Sequence, residues 1–291
     1  MTDYNTWADV SSISNNILED AMFVIRETAQ MQRLVRVFTD ARGGNPRKAF
    51  QYNQASAGTL AETDDLTSSA FAPALLGTLT PIEIGLQFFV TDLRRDSDVP
   101  ENIITDGGRE LGLAASDYIE SALAGNFSSL TAGTIGWNSG SASAVNITWS
   151  FLAAAIARAK NANKSMSVPL NVVLHGYQWQ VLAKSASIAG ASVVNAPGVQ
   201  DEVTRSGLMA RFMGADIYQS FYTAAGTAVY GAVFPRDALA IDWRRPVGVE
   251  GQRDASRRGT EFNMSAIFAH GVWRPALGVA MCFDASAPSG A

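Results

Sequence analysis

A chain of 291 residues with 47% hydrophobic content can bury one large core or two ordinary ones. Its net charge of -5 and pI near 5.1 exclude nucleic-acid binding driven by bulk phosphate attraction, although a local basic patch stays open. The single cysteine, Cys282, excludes an intramolecular disulfide and a cysteine metal cluster, and no run of about 18 apolar residues reads as membrane-spanning.

Charged residues make up only 17%, which with 25 glycines and many alanines and serines points to extensive packed surface, including surface between subunits. Lys48, Lys160, Lys164 and Lys184 are the lysines, and the other 18 of the 22 basic residues are arginines, whose forked geometry suits interfaces. The opening MTDYNTWADV has no basic segment and does not read as a signal peptide, and the lone cysteine fits a reducing compartment.

Residues 11–36 predict an amphipathic helix, with Ile13, Ile17, Ala21, Val24, Met31 and Val35 on one stripe and Ser11 or Ser12 as its cap. The Gly43-Gly44-Asn45-Pro46 run breaks it. A short strand is expected over 47–54. A soft stretch to Ala74 follows, carrying Glu62, Asp64 and Asp65. Then comes a strand in which Ile82, Ile84, Leu86, Phe88 and Val90 alternate with mostly polar neighbours. The two strands and their soft connection predict a long projecting hairpin.

A second long helix is expected over 98–124, with Asp98 as cap, Pro100 just inside and Glu101 three residues on. Ile104, Leu111, Ala115, Tyr118 and Ala122 share its apolar face, and Gly125-Asn126 ends it. Gly107, Gly108 and Gly112 cost such a helix about 1 kcal/mol each relative to alanine, which argues for close packing.

Beyond a soft loop over 126–146, a third helix is expected at 148–162, a buried strand at Asn171–His175 and a short helix at Tyr177–Lys184. Residues 185–207 are soft again. Strands are expected at Gly214–Gln219, Ala228–Phe234, Leu239–Trp243, Glu261–Trp273 and Leu277–Phe283. Between Trp243 and Glu261 lies a loop rich in arginine: Arg244, Arg245, Arg253, Arg257 and Arg258. Helices and strands are mixed without βαβ alternation, so the fold class is α+β.

The inventory for chemistry is thin. His175 and His270 each sit among apolar residues beside a glycine, more often a structural than a catalytic setting, and neither has zinc spacing. Gly136-Trp137-Asn138-Ser139-Gly140 puts its serine one position late for a nucleophile elbow. There is no phosphate-cradling glycine motif and no calcium-loop spacing. Neither an enzymatic activity nor a cofactor is expected.

The order helical arm, long hairpin, long helix, mixed middle, strand-rich tail resembles the major capsid proteins of tailed bacteriophages, a fold shared with encapsulins and herpesvirus shell floors. The resemblance is carried by Leu60 to Gly125, where the alternating strand runs into Val90-Thr91-Asp92-Leu93 and then into the long helix. It is also carried by Val172-Val173-Leu174-His175-Gly176-Tyr177-Gln178-Trp179 and by Met213-Gly214-Ala215-Asp216-Ile217-Tyr218. The resemblance implies an N-terminal arm over 1–38, an extended loop over 39–92 lying across a neighbouring subunit, and a peripheral domain over 93–145 with the long helix as its spine. It further implies an axial domain over 146–235 and return strands of the peripheral domain over 236–291.

The function implied is a shell subunit that assembles as hexamers and pentamers around double-stranded DNA, made in the host bacterial cytoplasm and resident in the virion. Its implied partners are itself, a portal, a separate scaffold or a decoration protein, and packaged DNA without sequence preference. No membrane is implied. Because the first helix starts within a dozen residues, a cleaved scaffolding segment is not expected, and Lys48, near the base of the extended loop, does not suggest an isopeptide cross-link. Candidate assembly residues are Lys48, Glu62, Asp64 and Asp65, with Arg244, Arg245, Arg253, Arg257 and Arg258; by sign complementarity these arginines of one copy pair with the acidic loop of another, and the alternative is a solvated loop or contact with packaged DNA. An encapsulin shell and a soluble α+β enzyme are the alternatives, separated by gene neighbourhood and by particle size.

Overall fold

The computed structural model describes residues 29–39, 44–52, 57–59, 62, 72–96, 103–136, 145–164, 168–188, 211–223 and 225–288, with backbone only at 103–106 and 186–188. Five helices are described: α1 Met31–Leu34, α2 Asp92–Arg95, α3 Ile103–Ala124, α4 Trp149–Ala162 and α5 Gly176–Ile188. Twelve strands are described: β1 Arg36–Thr39, β2 Arg47–Tyr52, β3 Pro73–Leu79, β4 Ile82–Thr91, β5 Thr134–Gly136, β6 Leu170–Leu174, β7 Arg211–Phe212, β8 Ala215–Gln219, β9 Val229–Pro235, β10 Leu239–Asp254, β11 Gly259–Val272 and β12 Val279–Phe283.

The strands form a four-stranded sheet in the order β1-β10-β11-β4, a six-stranded sheet in the order β5-β12-β9-β6-β8-β7, and the separate pair β2-β3. Helices and mixed sheets together are the expected α+β class.

Helix α3 lies on the four-stranded sheet because its apolar residues recur every four positions. Leu111, Ala115, Ile119 and Leu123 are all nearly fully buried. Leu111 and Ala115 pack with Met264 of β11 and with Ile84, Phe88 and Phe262, so the period-2 pattern of β4 is used on the side that meets the helix. Phe88 and Phe262 stack with centroids 4.9 Å apart. A methyl group at Gly107 would overlap the Phe88 ring, whereas Gly108 and Gly112 have open space where a side chain would sit. Close packing therefore explains one of the three helical glycines. Helix α3 runs on as a 3-10 turn, Gly125–Ser129, and the Asn126 amide donates to the carbonyls of Ala122 at 2.8 Å and Leu123 at 3.4 Å.

The six-stranded sheet is covered by α4 and α5. Thr148 caps α4, its hydroxyl accepting from Phe151 N at 3.3 Å, and Leu152, Ala155, Ile156 and Ala159 face the core. Strand β6, apolar except for Asn171, lies between β8 and β9. Gln178 of α5, fully buried, accepts from His175 N and donates to the carbonyls of Val229 and Phe283. One side chain thus ties the ends of β6, β9 and β12 together. A second core joins both sheets: Val173, Ala232, Phe234 and Ala280 of the larger sheet meet Leu239, Ile241 and Phe268 of the smaller, with Ile119, Leu123 and Phe127 between them.

Four expectations need correction. The first helix was expected through residue 36. Residues 1–28 lie outside the described residues, and past the single turn α1 the chain is extended at Val35 and enters β1, parallel to β10. Val37, Phe38 and Thr39 favour a strand, and the outer side of β10 offers them backbone partners. Second, β2 pairs with β3, not with the alternating strand at 82–91, which pairs with β11. Strand β3, Pro-Ala-Leu-Leu-Gly-Thr-Leu, lies where no strand was expected. Third, the arginine-rich segment is ordered ribbon rather than loop: Arg244, Arg245 and Arg253 lie on β10, which runs to Asp254, and only Arg257 and Arg258 lie in the turn before β11. Fourth, Tyr118 is half exposed and is not part of the buried face of α3. The expected caps at Asp98 and Pro100, and the soft segment over 189–207, lie outside the described residues.

Candidate assembly surfaces

The reactive side chains are used structurally. His270 Nδ1 lies 3.0 Å from the Asn126 amide nitrogen, which also donates to two helix carbonyls, so Nδ1 accepts and the proton sits on Nε2. His175 accepts on Nδ1 from Tyr177 N and packs against Tyr177 and Phe221. Burial lowers the pKa of both histidines, which keeps the imidazoles neutral. Burial also raises the Cys282 thiol. Among the described residues no group of three His, Cys, Asp or Glu side chains converges on a metal-sized site. A cleft of about 240 Å³ beneath the β2-β3 pair is lined by Gln51, Leu76, Arg274, Pro275, Ala276 and Leu277, with no acid or imidazole to act as a base.

The β2-β3 pair presents a different kind of surface. Its base is held firmly. A Cβ at Gly77 would overlap the Val272 carbonyl, and Leu79 is fully buried against Ala240 and Ala269. Arg47 Nε donates to Asp242 at 2.9 Å and its guanidinium lies 4.4 Å from the Phe38 ring centroid. Beyond this base, Phe50 pairs with Leu75 and Tyr52 with Pro73, and Phe50, Tyr52 and Leu75 are 58%, 55% and 53% exposed. A two-stranded ribbon with three large apolar side chains in water is marginal by itself and gains from a second surface.

Of the residues singled out from sequence, Lys48 lies exposed on β2, paired in register with Thr78. Glu62 is exposed, and Asp64 and Asp65 lie outside the described residues. Four of the five arginines have carboxylate partners within the chain. Arg244 is buried and donates to Asp242 at 2.7 Å and to the Asn45 carbonyl at 3.1 Å. Arg245 meets Glu83 at 2.7 Å. Arg253 forks onto both oxygens of Asp92 at 2.5 and 2.9 Å, and this bond holds the Asp92 carboxyl below the usual carboxylate range. Arg257 meets Asp254 at 3.5 Å and Glu261 at 3.2 Å. The Arg258 guanidinium makes no hydrogen bond or ion pair among the described residues.

Sequence reasoning missed Glu120. It sits on the buried side of α3, fully enclosed, and accepts from the backbone N–H groups of Gln30 at 3.0 Å, Met31 at 2.7 Å and Gln32 at 3.3 Å. Helix α1 has no cap of its own, and this carboxylate from some 90 residues away supplies one.

No family model matches the chain, and no curated protein does. Solved structures do match. The capsid structure of the cyanophage P-SCSP1u is 15% identical, with a TM-score of 0.73, over 96% of this chain and 95% of that one. The capsid of an empty GTA particle is 15% identical, with a TM-score of 0.72, over 98% and 100%. A chain of Mycobacterium phage Che8 is 19% identical, with a TM-score of 0.69, over 92% and 97%. At these identities the likeness is one of fold, and the fold is the one the segment order resembles, that of the tailed-phage major capsid proteins.

Proposed function

We propose that this chain is a structural shell subunit, copies of which assemble as hexamers and pentamers into an icosahedral capsid around double-stranded DNA. The observation that carries the reading is the extent of the fold likeness, which covers nearly all of this chain and nearly all of each capsid chain compared. The exposed apolar ribbon at Phe50, Tyr52 and Leu75 supports it, because that surface is suited to a neighbour. Many modest interfaces of this kind add up to a stable shell.

In this reading residues 1–38 are the arm, 39–92 the extended loop, 93–145 and 236–291 the peripheral domain, and 146–235 the axial domain. The chain works through contacts and performs no chemistry. It resides in the virion after synthesis in the host cytoplasm, contacts packaged DNA without sequence preference, and meets a portal and a separate scaffold or decoration protein.

Electron microscopy and sizing of the purified full chain test the proposal. Closed particles tens of nanometres across are expected. A chain that stays a monomer or dimer at all concentrations, with a turnover activity, would establish the soluble-enzyme alternative instead.

A further inference from the structure

Building on the shell reading, we infer that residues 30–36 are a clasp that fixes how the four-stranded and six-stranded sheets sit against each other, and so sets the curvature of the subunit within the shell.

The clasp is built on an element that cannot stand alone. Helix α1 is a single turn, Met31–Leu34, and one turn fixes several dihedrals in return for very few hydrogen bonds, so it does not persist in water. Here both of its ends are satisfied from elsewhere in the chain. At the start, the Glu120 carboxylate of α3 accepts from the N–H groups of Gln30, Met31 and Gln32. At the end, the Asn171 amide of β6 donates to the Leu34 carbonyl at 3.3 Å. Arg236 Nε, in the turn between β9 and β10, donates to the Val35 carbonyl at 3.0 Å. Arg36 then meets Asp237 of the same turn at 3.2 Å.

These anchors belong to different bodies of the fold. Glu120 stands on the helix that packs against the four-stranded sheet. Asn171 lies inside the six-stranded sheet. Arg236 and Asp237 lie where the chain passes from one sheet to the other. Between the anchors, Met31, Leu34 and Val35 are buried in the core that holds Val173 and Phe234 of one sheet and Ile241 and Phe268 of the other. Beyond the anchors, β1 joins the edge of the four-stranded sheet.

The span is short and stiff. Four helical residues rise about 6 Å, which leaves no slack between the Glu120 end and the Asn171 end. Hydrogen bonds of 3.0 and 3.3 Å are lost once donor and acceptor separate by about another 0.5 Å. A slide of one sheet past the other by about 1 Å therefore leaves one end of the turn without partners. The clasp binds one placement of the sheets better than any other, which is the condition for biasing a conformational equilibrium. A subunit that serves both five-fold and six-fold positions depends on such control of its own shape.

Two substitutions at part-buried anchors test this in the full chain. Asn171→Leu keeps the size of the side chain and Arg236→Met keeps its length, and each removes the donors. Hydrogen exchange of the unassembled chain is the first readout. Each variant is expected to speed exchange at the amides of 30–39 as one block, by about three- to tenfold, including Met31 and Gln32 at the opposite end of the turn, while α4 keeps the parent rates. Glu120→Ala is expected to accelerate the same block from its other end. Acceleration confined to the residues beside each substituted anchor overturns the clasp. Particle diameter by electron microscopy is the second readout. The parent is expected to give one diameter, and Asn171→Leu and Arg236→Met a spread of diameters with unclosed shells. Variant shells of the parent's single diameter overturn the inference while leaving the shell reading intact. A parent chain that forms no particles overturns the shell reading instead, and exchange as one block then leaves the clasp standing.

Discussion

Glu120→Ala is expected to release the start of the chain from α3. In the native structure the carboxylate is fully buried and receives three backbone N–H groups, the shortest from Met31 at 2.7 Å. Hydrogen bonds to a charged acceptor contribute about 1.5–3 kcal/mol each, but the net value is smaller because the carboxylate has itself been taken out of water. The Met31 N–H is buried and loses its acceptor outright, whereas those of Gln30 and Gln32 are only part-buried and water can replace theirs. One full unsatisfied donor and two partial losses come to about 2–4 kcal/mol. Met31, Leu34 and Val35 are themselves buried against the second core, so loss of the cap weakens a packed segment rather than a loose one.

Urea denaturation of the unassembled chain measures the global part. Hydrogen exchange at the amides of 30–32 measures the local part, which is expected to accelerate by roughly 30-fold or more. Glu120→Gln keeps one acceptor oxygen without the charge and should fall between the parent and the alanine variant. If Glu120→Ala shifts stability by less than about 0.5 kcal/mol and leaves exchange at 30–32 unchanged, the capping argument fails.

Two further sets of variants read out packing and pH. Gly107→Ala should destabilise by about 1–3 kcal/mol as the Phe88–Phe262 stack is displaced, while Gly108→Ala and Gly112→Ala should be neutral or stabilise the isolated chain by up to about 1 kcal/mol; thermal melts distinguish the two outcomes. His270 and His175 have folded pKa values lowered by burial, so the unfolded chain binds protons first on acidification. The stability this contributes is present above about pH 6.5 and is lost as pH falls through the folded values. Urea midpoints from pH 7.5 down to 5 should fall, and His270→Gln, which retains an acceptor for Asn126, should flatten part of that slope.

What the sequence revealed and what it hid divide along one physical line. Periodicity is local, so β4 was legible from Ile82 to Val90, and α4 from Leu152, Ile156 and Ala159. Pairing is not local. The alternation of β4 states that one face is apolar but not that β11, some 170 residues later, lies beside it; the nearer β2 was the natural guess. Strand β3 escaped notice because its apolar run holds a glycine and follows a soft stretch, yet Gly77 is needed where the chain passes against the Val272 carbonyl. The same division governs the surfaces. Arg253 and Arg245 looked available for a neighbour because their partners, Asp92 and Glu83, lie more than 160 positions away, and nothing local to Glu120 marks it as the acceptor for Met31, 89 positions earlier. The charges a second copy can use are the remainder after the fold has taken its share. That remainder can be identified only once the intrachain pairs are known, as the pairing of Arg245 with Glu83 and of Arg253 with Asp92 shows.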